Sequence, residues 1–137
     1  MSAKQPAFSI VTACLNAGSA LRKTVESVLA QVFDDYEYLV IDGGSSDGSV
    51  DFLAGFSDSR LRLVSEPDMG ISDAFNKGIN RGKGEWIGFL NAGDVYSTPD
   101  VLKKIHDHPS EGVNIVTAFS RLPSGILIPR RRVSNRD

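Results

Sequence analysis

The sequence contains very little cysteine and no long apolar run. Cys14 is the single cysteine among 137 residues, so the chain forms no internal disulfide. No apolar stretch approaches the roughly 18 residues that a membrane-spanning helix needs. Residues 1–20 lack the charged start, the apolar centre and the cleavage site of a secretory signal. These absences predict a cytoplasmic protein, or the cytoplasmic part of a larger one.

Several motifs that define common enzyme classes are also missing. The sequence has no G-x-x-x-x-G-K-[ST] phosphate loop and no G-x-S-x-G nucleophile elbow. The glycine-rich segment 43–48 does not fit the G-x-G-x-x-G pattern, and it follows the second predicted strand instead of the first. Cys14, His106 and His108 lack the spacing of zinc ligands. The sequence therefore does not favour an ATPase, a hydrolase, an NAD enzyme or a zinc protein.

The composition is that of one soluble domain, but the charges are unevenly placed. Hydrophobic residues make up 41% and charged residues 23%, values that argue against disorder and a coiled coil. Residues 1–120 hold ten Lys and Arg against sixteen Asp and Glu, whereas residues 121–137 hold five against one. The acidic body argues against nucleic-acid binding. The basic end, with Arg130, Arg131 and Arg132, is either simply solvated or contacts phosphate or anionic lipid at a membrane surface.

Short β-rich runs alternate along the chain with segments of helical periodicity. Strands are predicted at 8–14, 36–41, 61–64 and 86–90, with a closing pair at 115–119 and 125–129. The run at 86–90 is apolar enough for a strand covered on both faces. Helices are predicted after Ser19 with apolar residues up to Val32, after Asp47, over 71–81 and from Thr98–Pro99.

This alternation predicts an α/β fold with helices on both faces of a mostly parallel central sheet, which is a three-layer α/β/α arrangement. We expect the domain to span residues 1–129, followed by a basic, disordered tail at 130–137. Polar, acidic and glycine residues follow all four strands, at Asn16, 42–45, 66–70 and 91–94. Ligands of parallel α/β sheets bind at the carboxyl ends of the strands. The sequence therefore predicts a ligand site at this edge.

Two carboxylates at this edge each have two interpretations. Asp42 ends a buried strand, where an ionised carboxylate is costly without a partner. It either binds an N–H or hydroxyl of a ligand or caps the next turn through Ser45 or Ser46. Asp94, three residues after Asn91, either offers oxygen to Mg²⁺ or Mn²⁺ beside a phosphate or caps the turn before the next helix.

Three segments give the chain a resemblance to a known family. The segments are Ser9–Asn16 with Thr24, Glu26–Val28 and Gln31 after it, Val40–Ser49, and Glu66–Ile79 continued by Gly84–Asp94. The first two are similar to S-x-I-x-[PV]-T-Y-N…E-S-x-x-x-Q and to V-V-D-[DG]-G-S-T-D-G-T. On these motifs the chain resembles the family 2 inverting glycosyltransferases of the GT-A fold, and it looks like the branch that acts in surface-polysaccharide assembly.

The resemblance implies a site for a nucleoside-diphosphate sugar, with a UDP-sugar favoured, and transfer of the sugar to a sugar or lipid-linked sugar acceptor. Asp42 corresponds to the carboxylate that recognises the base. Asp94 corresponds to the ligand of the divalent cation, Mn²⁺ or Mg²⁺, which assists departure of the diphosphate. The other implied donor-site residues are Thr12, Asn16, Ser45, Asp68, Gly70, Asp73, Asn76, Asn91 and Gly93. Of these, Thr12 and Asn16 are expected at the mouth of the nucleotide pocket.

The sequence departs from the family pattern in three places and in length. Cys14-Leu15 stands where Thr-Tyr is usual, Phe75 where many members have arginine, and Asn91–Asp94 keeps one carboxylate of the metal motif. Family members typically continue for on the order of a hundred residues that build the acceptor site and supply the general base. We therefore expect a chain truncated before the acceptor half, and no catalytic base is assigned. A non-catalytic nucleotide-sugar-binding module and an inactive remnant are the alternatives.

Overall fold

The computed structural model describes residues 4–109, 111–112, 120–121 and 127–128. The strands are β1 (Phe8–Cys14), β2 (Tyr36–Asp42), β3 (Leu61–Ser65), β4 (Trp86–Phe89), β5 (Ser120–Arg121) and β6 (Leu127–Ile128). The helices are α1 (Ala20–Leu29), α2 (Ile71–Arg81) and α3 (Val101–Asp107), and a 3₁₀ helix covers Asp51–Gly55. By its internal contacts the chain divides into two units, Met1–Leu102 and Lys103–Asp137.

The first unit is built on a parallel sheet with the strand order β3-β2-β1-β4. At one edge Cys14 of β1 lies opposite Asp42 of β2, which in turn lies opposite Ser65 of β3. The main-chain pairing continues from β1 to the segment after β4, because the N–H of Leu90 donates to the carbonyl of Val11 at 3.0 Å. The loops that follow the four strands therefore open at the same edge of the sheet.

Helix α2 covers one face of this sheet. The buried apolar cluster on this face consists of Val11, Ala13, Leu39, Ile41 and Ala74. Alternate strand residues point to the same face, which explains why odd-numbered positions of β1 and β2 share this cluster. Gly78 allows α2 to approach β1 closely, because a Cβ at this position would lie 2.5 Å from Cγ1 of Val11.

Helix α1 covers the opposite face. Its residues Leu21, Val25 and Val28 are fully buried, as their helical spacing predicts. The hydroxyl of Tyr36 in β2 donates a hydrogen bond of 2.8 Å to the carbonyl of Val28, which ties the helix to the sheet. With helices on both faces of a parallel sheet, the predicted three-layer α/β/α arrangement is confirmed.

The predicted ends of two helices are wrong. Val32 is 64% exposed instead of lying on the apolar face of α1, because the helix ends at Leu29. Helix α3 begins at Val101 and not at Thr98–Pro99. The carbonyls of Thr98 and Pro99 accept hydrogen bonds from the Gln31 side chain and the Val32 N–H, which hold this segment outside the helix.

The helix predicted after Asp47 is a 3₁₀ helix that begins later, with Val50 at its N-cap position. Asp47 does not cap it, because its Oδ1 accepts the N–H of Ser49 in the preceding turn. Strand β4 is also less covered than predicted, since all of its residues are at least partly exposed and Phe89 is 47% exposed.

In the second unit, β5 and β6 pair in an antiparallel manner, with Ser120 opposite Ile128. Strand β6 lies within the predicted strand 125–129, whereas the predicted strand 115–119 falls outside the described residues. The predicted domain boundary at 129 and the tail at 130–137 also fall outside them. Among the helices of the described segments, none has the length and apolar character to cross a bilayer.

Candidate functional site

Asp42 lies at the end of β2 with its side chain fully buried. Its Oδ2 accepts hydrogen bonds from the Ser45 N–H at 3.0 Å and from the Ser65 hydroxyl at 2.7 Å. Its Oδ1 accepts the Ser45 hydroxyl and the Cys14 thiol, whose Sγ is 3.6 Å away. Burial raises the pKa of Asp42, but the hydrogen bonds from Ser45 and Ser65 outweigh it and lower the pKa below its ordinary value.

Asp42 therefore caps the turn through Ser45, which is one of the two interpretations of the sequence. A carboxylate has about four lone-pair sites, and four donors of the protein already face this one. Recognition of a base by Asp42 stays a prediction, and it requires the base to displace one of these donors.

Thr12 lies in β1 and is enclosed within the protein. Its side chain is fully buried, its hydroxyl bonds to the Tyr38 hydroxyl at 2.7 Å, and it donates to the Leu90 carbonyl at 2.6 Å. Thr12 is therefore closed off from solvent in this structure, and its expected position at the mouth of the nucleotide pocket stays a prediction. Thr12 links β1 to β2 and to the segment after β4.

Asn16 and Ser45 join the loops that follow β1 and β2. The Asn16 N–H donates to Ser45 Oγ at 2.8 Å, and Asn16 Oδ1 accepts the N–H groups of Ser46 at 2.8 Å and Asp47 at 3.2 Å. Asn16 has a φ of +49°, in the left-handed region that asparagine tolerates better than most residues. The structure thus brings these two predicted residues together and uses both to brace the loops.

A pocket of about 230 Å³ opens at the same edge, between the end of β1 and the start of α2. It is lined by Ala13, Cys14, Leu15, Asp68, Gly70, Ile71 and Ala74. Burial, together with the nearby charge of Asp42, raises the pKa of Cys14 to about 12, so its thiol stays neutral. Apolar walls with one charged group are typical of a site for a small organic ligand.

Asp68 supplies the carboxylate of this pocket. Its Oδ1 accepts the N–H of Gly70 at 2.9 Å, and no described residue donates to its Oδ2. A Cβ on Gly43 would lie 2.9 Å from this Oδ2, so the missing side chain of Gly43 leaves the space in which the Asp68 carboxylate sits. Unlike Asp42, Asp68 keeps one oxygen for a ligand.

The other predicted residues of this region lie at the start of α2. Gly70 has a φ of +114°, a conformation that favours glycine, and it lines the pocket. Asp73 Oδ2 accepts the N–H of Met69 at 3.0 Å, so its carboxylate holds the main chain at the start of the helix. Asn76 is exposed and does not line the pocket. Of these three predicted residues, Gly70 alone reaches the pocket.

Asp94 lies in the loop after β4. Its carboxylate differs from that of Asp42 in its hydrogen-bond partners. Asp94 is exposed, and no described residue donates a hydrogen bond to its carboxylate. Its own N–H donates to the Asn91 carbonyl at 2.9 Å, and the preceding Gly93 has a φ of +99°. The side-chain oxygen of Asn91 is buried and has no hydrogen-bond partner in the described part of the chain.

The oxygen atoms of this loop are of the type that could serve a divalent cation shared with a phosphate. Within the described segments, no group of three or more His, Cys, Asp or Glu could hold a metal ion on its own. Mg²⁺ and Mn²⁺ prefer oxygen ligands, and Mg²⁺ often takes one or two carboxylates while substrate phosphates and water complete its shell. The free carboxylate of Asp94 and the unpartnered oxygen of Asn91 are donors of this kind.

Three polar residues near this loop have no role that the sequence motifs alone could assign. Thr24 and Ser27 in α1, and Gln31 just after it, all hydrogen-bond to main-chain atoms between Gly93 and Leu102. The available signal was their spacing, because polar residues at i, i+3 and i+7 fall on one side of a helix. We call these three residues the α1 polar stripe.

A parallel α/β sheet with a carboxylate-bearing pocket at the ends of its strands defines a protein class that binds small ligands at this edge. Comparison with known protein families identifies the family to which the chain belongs. The model of glycosyl transferase family 2 matches residues 9–135, and the chain belongs to this family.

Curated relatives carry glycosyltransferase names. An uncharacterized glycosyltransferase of Mycobacterium tuberculosis is 41% identical over 98 residues, which are 71% of this chain and 37% of the relative. The PGL/p-HBAD biosynthesis glycosyltransferase of Mycobacterium bovis is 33% identical over 103 residues, which are 73% of this chain and 40% of that protein. The chain thus spans well under half the length of these relatives.

Solved structures share the fold. Staphylococcus aureus TarS 1-349 in complex with UDP-GlcNAc matches with a TM-score of 0.67 at 19% identity, over 72% of this chain and 30% of that one. The mannosyltransferase PcManGT of Pyrobaculum calidifontis, in complex with GDP-Man and Mn²⁺, matches with a TM-score of 0.65 at 21% identity, over 72% and 31%. These matches confirm the predicted GT-A fold.

Proposed function

We propose that this chain forms the donor-binding part of a glycosyltransferase that takes its sugar from a nucleoside diphosphate. The sugar passes, with inversion, to a hydroxyl of a sugar or lipid-linked sugar acceptor in polysaccharide or glycolipid assembly. Membership of glycosyl transferase family 2 supports the reaction class. A cytoplasmic location and a membrane contact through residues 130–137, which lie outside the described residues, stay predictions.

The pocket between the end of β1 and the start of α2 is the observation that carries this proposal. Its walls include Leu15 and Ile71, whose apolar side chains suit a flat base, and the free Oδ2 of Asp68 suits a ring N–H. Uracil offers one such N–H. Guanine offers a pair of donors that match both oxygens of a carboxylate, and one oxygen of Asp68 is already bound to Gly70. This difference favours a UDP-sugar.

We assign a divalent cation, Mn²⁺ or Mg²⁺, to Asp94, with the Asn91 side-chain oxygen as a second ligand. When bound, the cation supplies positive charge that stabilises the departing nucleoside diphosphate. The Asp94 carboxylate supports this assignment because it is exposed and has no partner among the described residues, and the Mn²⁺ in the mannosyltransferase structure supports it as well. Transfer also needs a base that deprotonates the acceptor hydroxyl, a role that we assign to no described residue.

The test is thermal unfolding of the full chain and of Asp94→Asn with UDP, GDP, dTDP or CDP, each with and without Mn²⁺. We expect UDP to stabilise the wild-type chain, and Mn²⁺ to enlarge this shift. A ligand at about 100 times its Kd adds roughly 2.7 kcal/mol, which is several degrees for a domain of this size. The Asp94→Asn variant should unfold at the wild-type temperature without ligand and lose the increment that Mn²⁺ adds.

Each part of the proposal has its own contradicting result. No shift with any nucleotide would contradict donor binding, and a larger shift with GDP than with UDP would contradict the assignment of the base. If the shift in unfolding temperature caused by the nucleotide is the same with and without Mn²⁺, this result would contradict the assignment of a cation to Asp94. A chain that shows no cooperative unfolding at all would favour the inactive remnant.

A further inference from the structure

The loop that carries Asp94 is held by the α1 polar stripe through main-chain atoms. The N–H of Gly93 donates to Thr24 Oγ1 at 2.9 Å, and the N–H of Tyr96 donates to Ser27 Oγ at 3.2 Å. Further along the loop, Gln31 donates from Nε2 to the Thr98 carbonyl at 2.8 Å. The same side chain accepts the N–H of Leu102 on Oε1 at 3.0 Å. Four hydrogen bonds thus fix the path of residues 93–102.

The stripe is oriented by its own helix before it meets the loop. The Thr24 hydroxyl donates to the Ala20 carbonyl at 3.3 Å, and the Ser27 hydroxyl donates to the Thr24 carbonyl at 2.8 Å. Each hydroxyl hydrogen is therefore turned back into α1, and each oxygen faces the loop as an acceptor. Thr24 is fully buried and Gln31 is 5% exposed, so water has little access to these two side chains, whereas Ser27 is partly exposed.

We infer that the α1 polar stripe positions the cation ligand of the donor site. Within the stripe, Thr24 acts nearest to Asp94. Its hydrogen-bond partner Gly93 directly precedes Asp94 and adopts a φ of +99°. Without the acceptor at Thr24, the Gly93 N–H loses its partner in the protein and the turn at Gly93–Asp94 loses its anchor. Among the described residues none donates to the Asp94 carboxylate, so within them the main chain sets its place. This inference rests on the proposed cation site.

The test compares Thr24→Val with Thr24→Ser in the full chain. Valine keeps the shape of threonine and removes the acceptor, whereas serine keeps the acceptor and removes a methyl group. The readout is UDP affinity by calorimetry with and without Mn²⁺, and the ratio of the two affinities measures coupling to the cation. For Thr24→Val we expect this ratio to fall about tenfold, the size expected for one lost hydrogen bond. Metal-free UDP affinity should stay at the wild-type value, and Thr24→Ser should keep the wild-type ratio.

Val25→Ala is the matched control, because Val25 is a fully buried neighbour in α1 that makes no bond to the loop. It should lower the unfolding temperature and leave the Mn²⁺ ratio unchanged, which separates loss of stability from loss of positioning. A wild-type ratio in Thr24→Val would overturn the inference while the proposed function stands. If the wild-type chain binds UDP with the same affinity with and without Mn²⁺, the cation assignment is overturned and this inference with it.

Discussion

Asp42, the last residue of β2, and Asp94, in the loop after β4, lie at the same edge of the sheet, yet their surroundings are opposite. Asp42 is fully buried and receives hydrogen bonds from Ser45, Ser65 and Cys14. Asp94 is exposed and receives none from the described residues, while the main chain around it is firmly held. The Asp42 carboxylate stabilises the fold, whereas the Asp94 carboxylate is available to a ligand.

This contrast shows that the position of an acidic residue at the ligand edge does not by itself define its role. What separates the two is the number of donors that the folded chain supplies. A buried carboxylate with a full set of donors stabilises the structure around it, whereas one without donors is available to a cation or a ligand. Asp68 lies between the two cases, because Gly70 binds one of its oxygens and the other is free.

The largest expected effect is on stability, from Asp42→Asn. The amide group keeps one acceptor oxygen but places an NH₂ against donors that need an acceptor. Leaving buried donors unsatisfied costs roughly 2–3 kcal/mol here. Urea unfolding at neutral pH should show this loss. Asp94→Asn is the control, and as a surface change it should stay within about 0.5 kcal/mol of the wild type. Equal losses in the two variants would break the comparison.

The second expected effect is on the pH dependence of that loss. The pKa of Asp42 is lower in the folded chain than its ordinary value of 3.8, so its contribution is complete above that value and disappears as the pH falls through the folded pKa. The difference in unfolding free energy between the wild type and Asp42→Asn should therefore shrink below about pH 4. Urea unfolding at a series of pH values from neutral to acid measures it, and a difference that stays constant into strong acid would argue against an ionised Asp42.

The smallest expected effect concerns the intermediate case, the loop that carries Asp68. Lys77 Nζ lies 3.2 Å from Glu66 Oε1 and donates to the Pro67 carbonyl at 3.2 Å, so it ties this loop to α2. Lys77→Met should cost about 0.5–1 kcal/mol, since the pair is partly exposed. We expect it also to weaken UDP binding severalfold, because the free oxygen of Asp68 is then held less firmly. Calorimetry with UDP measures this loss.

Arg81→Met is the matched control for Lys77→Met. Arg81 also contacts Glu66, at 3.7 Å, but its side chain is half exposed and makes no bond to the Pro67 carbonyl. Its removal should leave UDP affinity unchanged. If both variants weakened UDP binding equally, general charge would explain the effect better than anchoring of the loop.

Local signals predicted the elements of the sheet and one helix well. The bounds of β1 and α2 are those that the sequence indicates, because an apolar run ends in turn-forming residues in one case and an amphipathic pattern ends at glycine in the other. The start of α3 was missed because the deciding contact is distant. The Thr98 carbonyl is bound by Gln31, which lies 67 positions earlier. Nothing in the residues around Thr98 shows this bond.

In the candidate site, too, local sequence predicted some features, whereas others depend on contacts with distant residues. The sequence placed Asp42, Asp68 and Asp94 at one edge, because the strand ends mark it. It left the role of Asp42 open, since two of the partners that decide it, Cys14 and Ser65, lie 28 and 23 positions away. The hydrogen bonds of Thr12 were not predictable for the same reason, because its hydroxyl reaches Leu90, 78 positions along the chain. Donor counts depend on the folded neighbours, and a linear pattern does not contain them.

The α1 polar stripe recognises main-chain atoms alone, and this has a consequence for how the protein can vary. The hydrogen bonds of the stripe do not involve the side chains of Val95 and Ser97, which are exposed. Substitutions there can alter what the loop presents to solvent without altering where it runs, whereas the stripe tolerates few replacements. Diversification and engineering should therefore concentrate on the loop, with α1 kept as a fixed template.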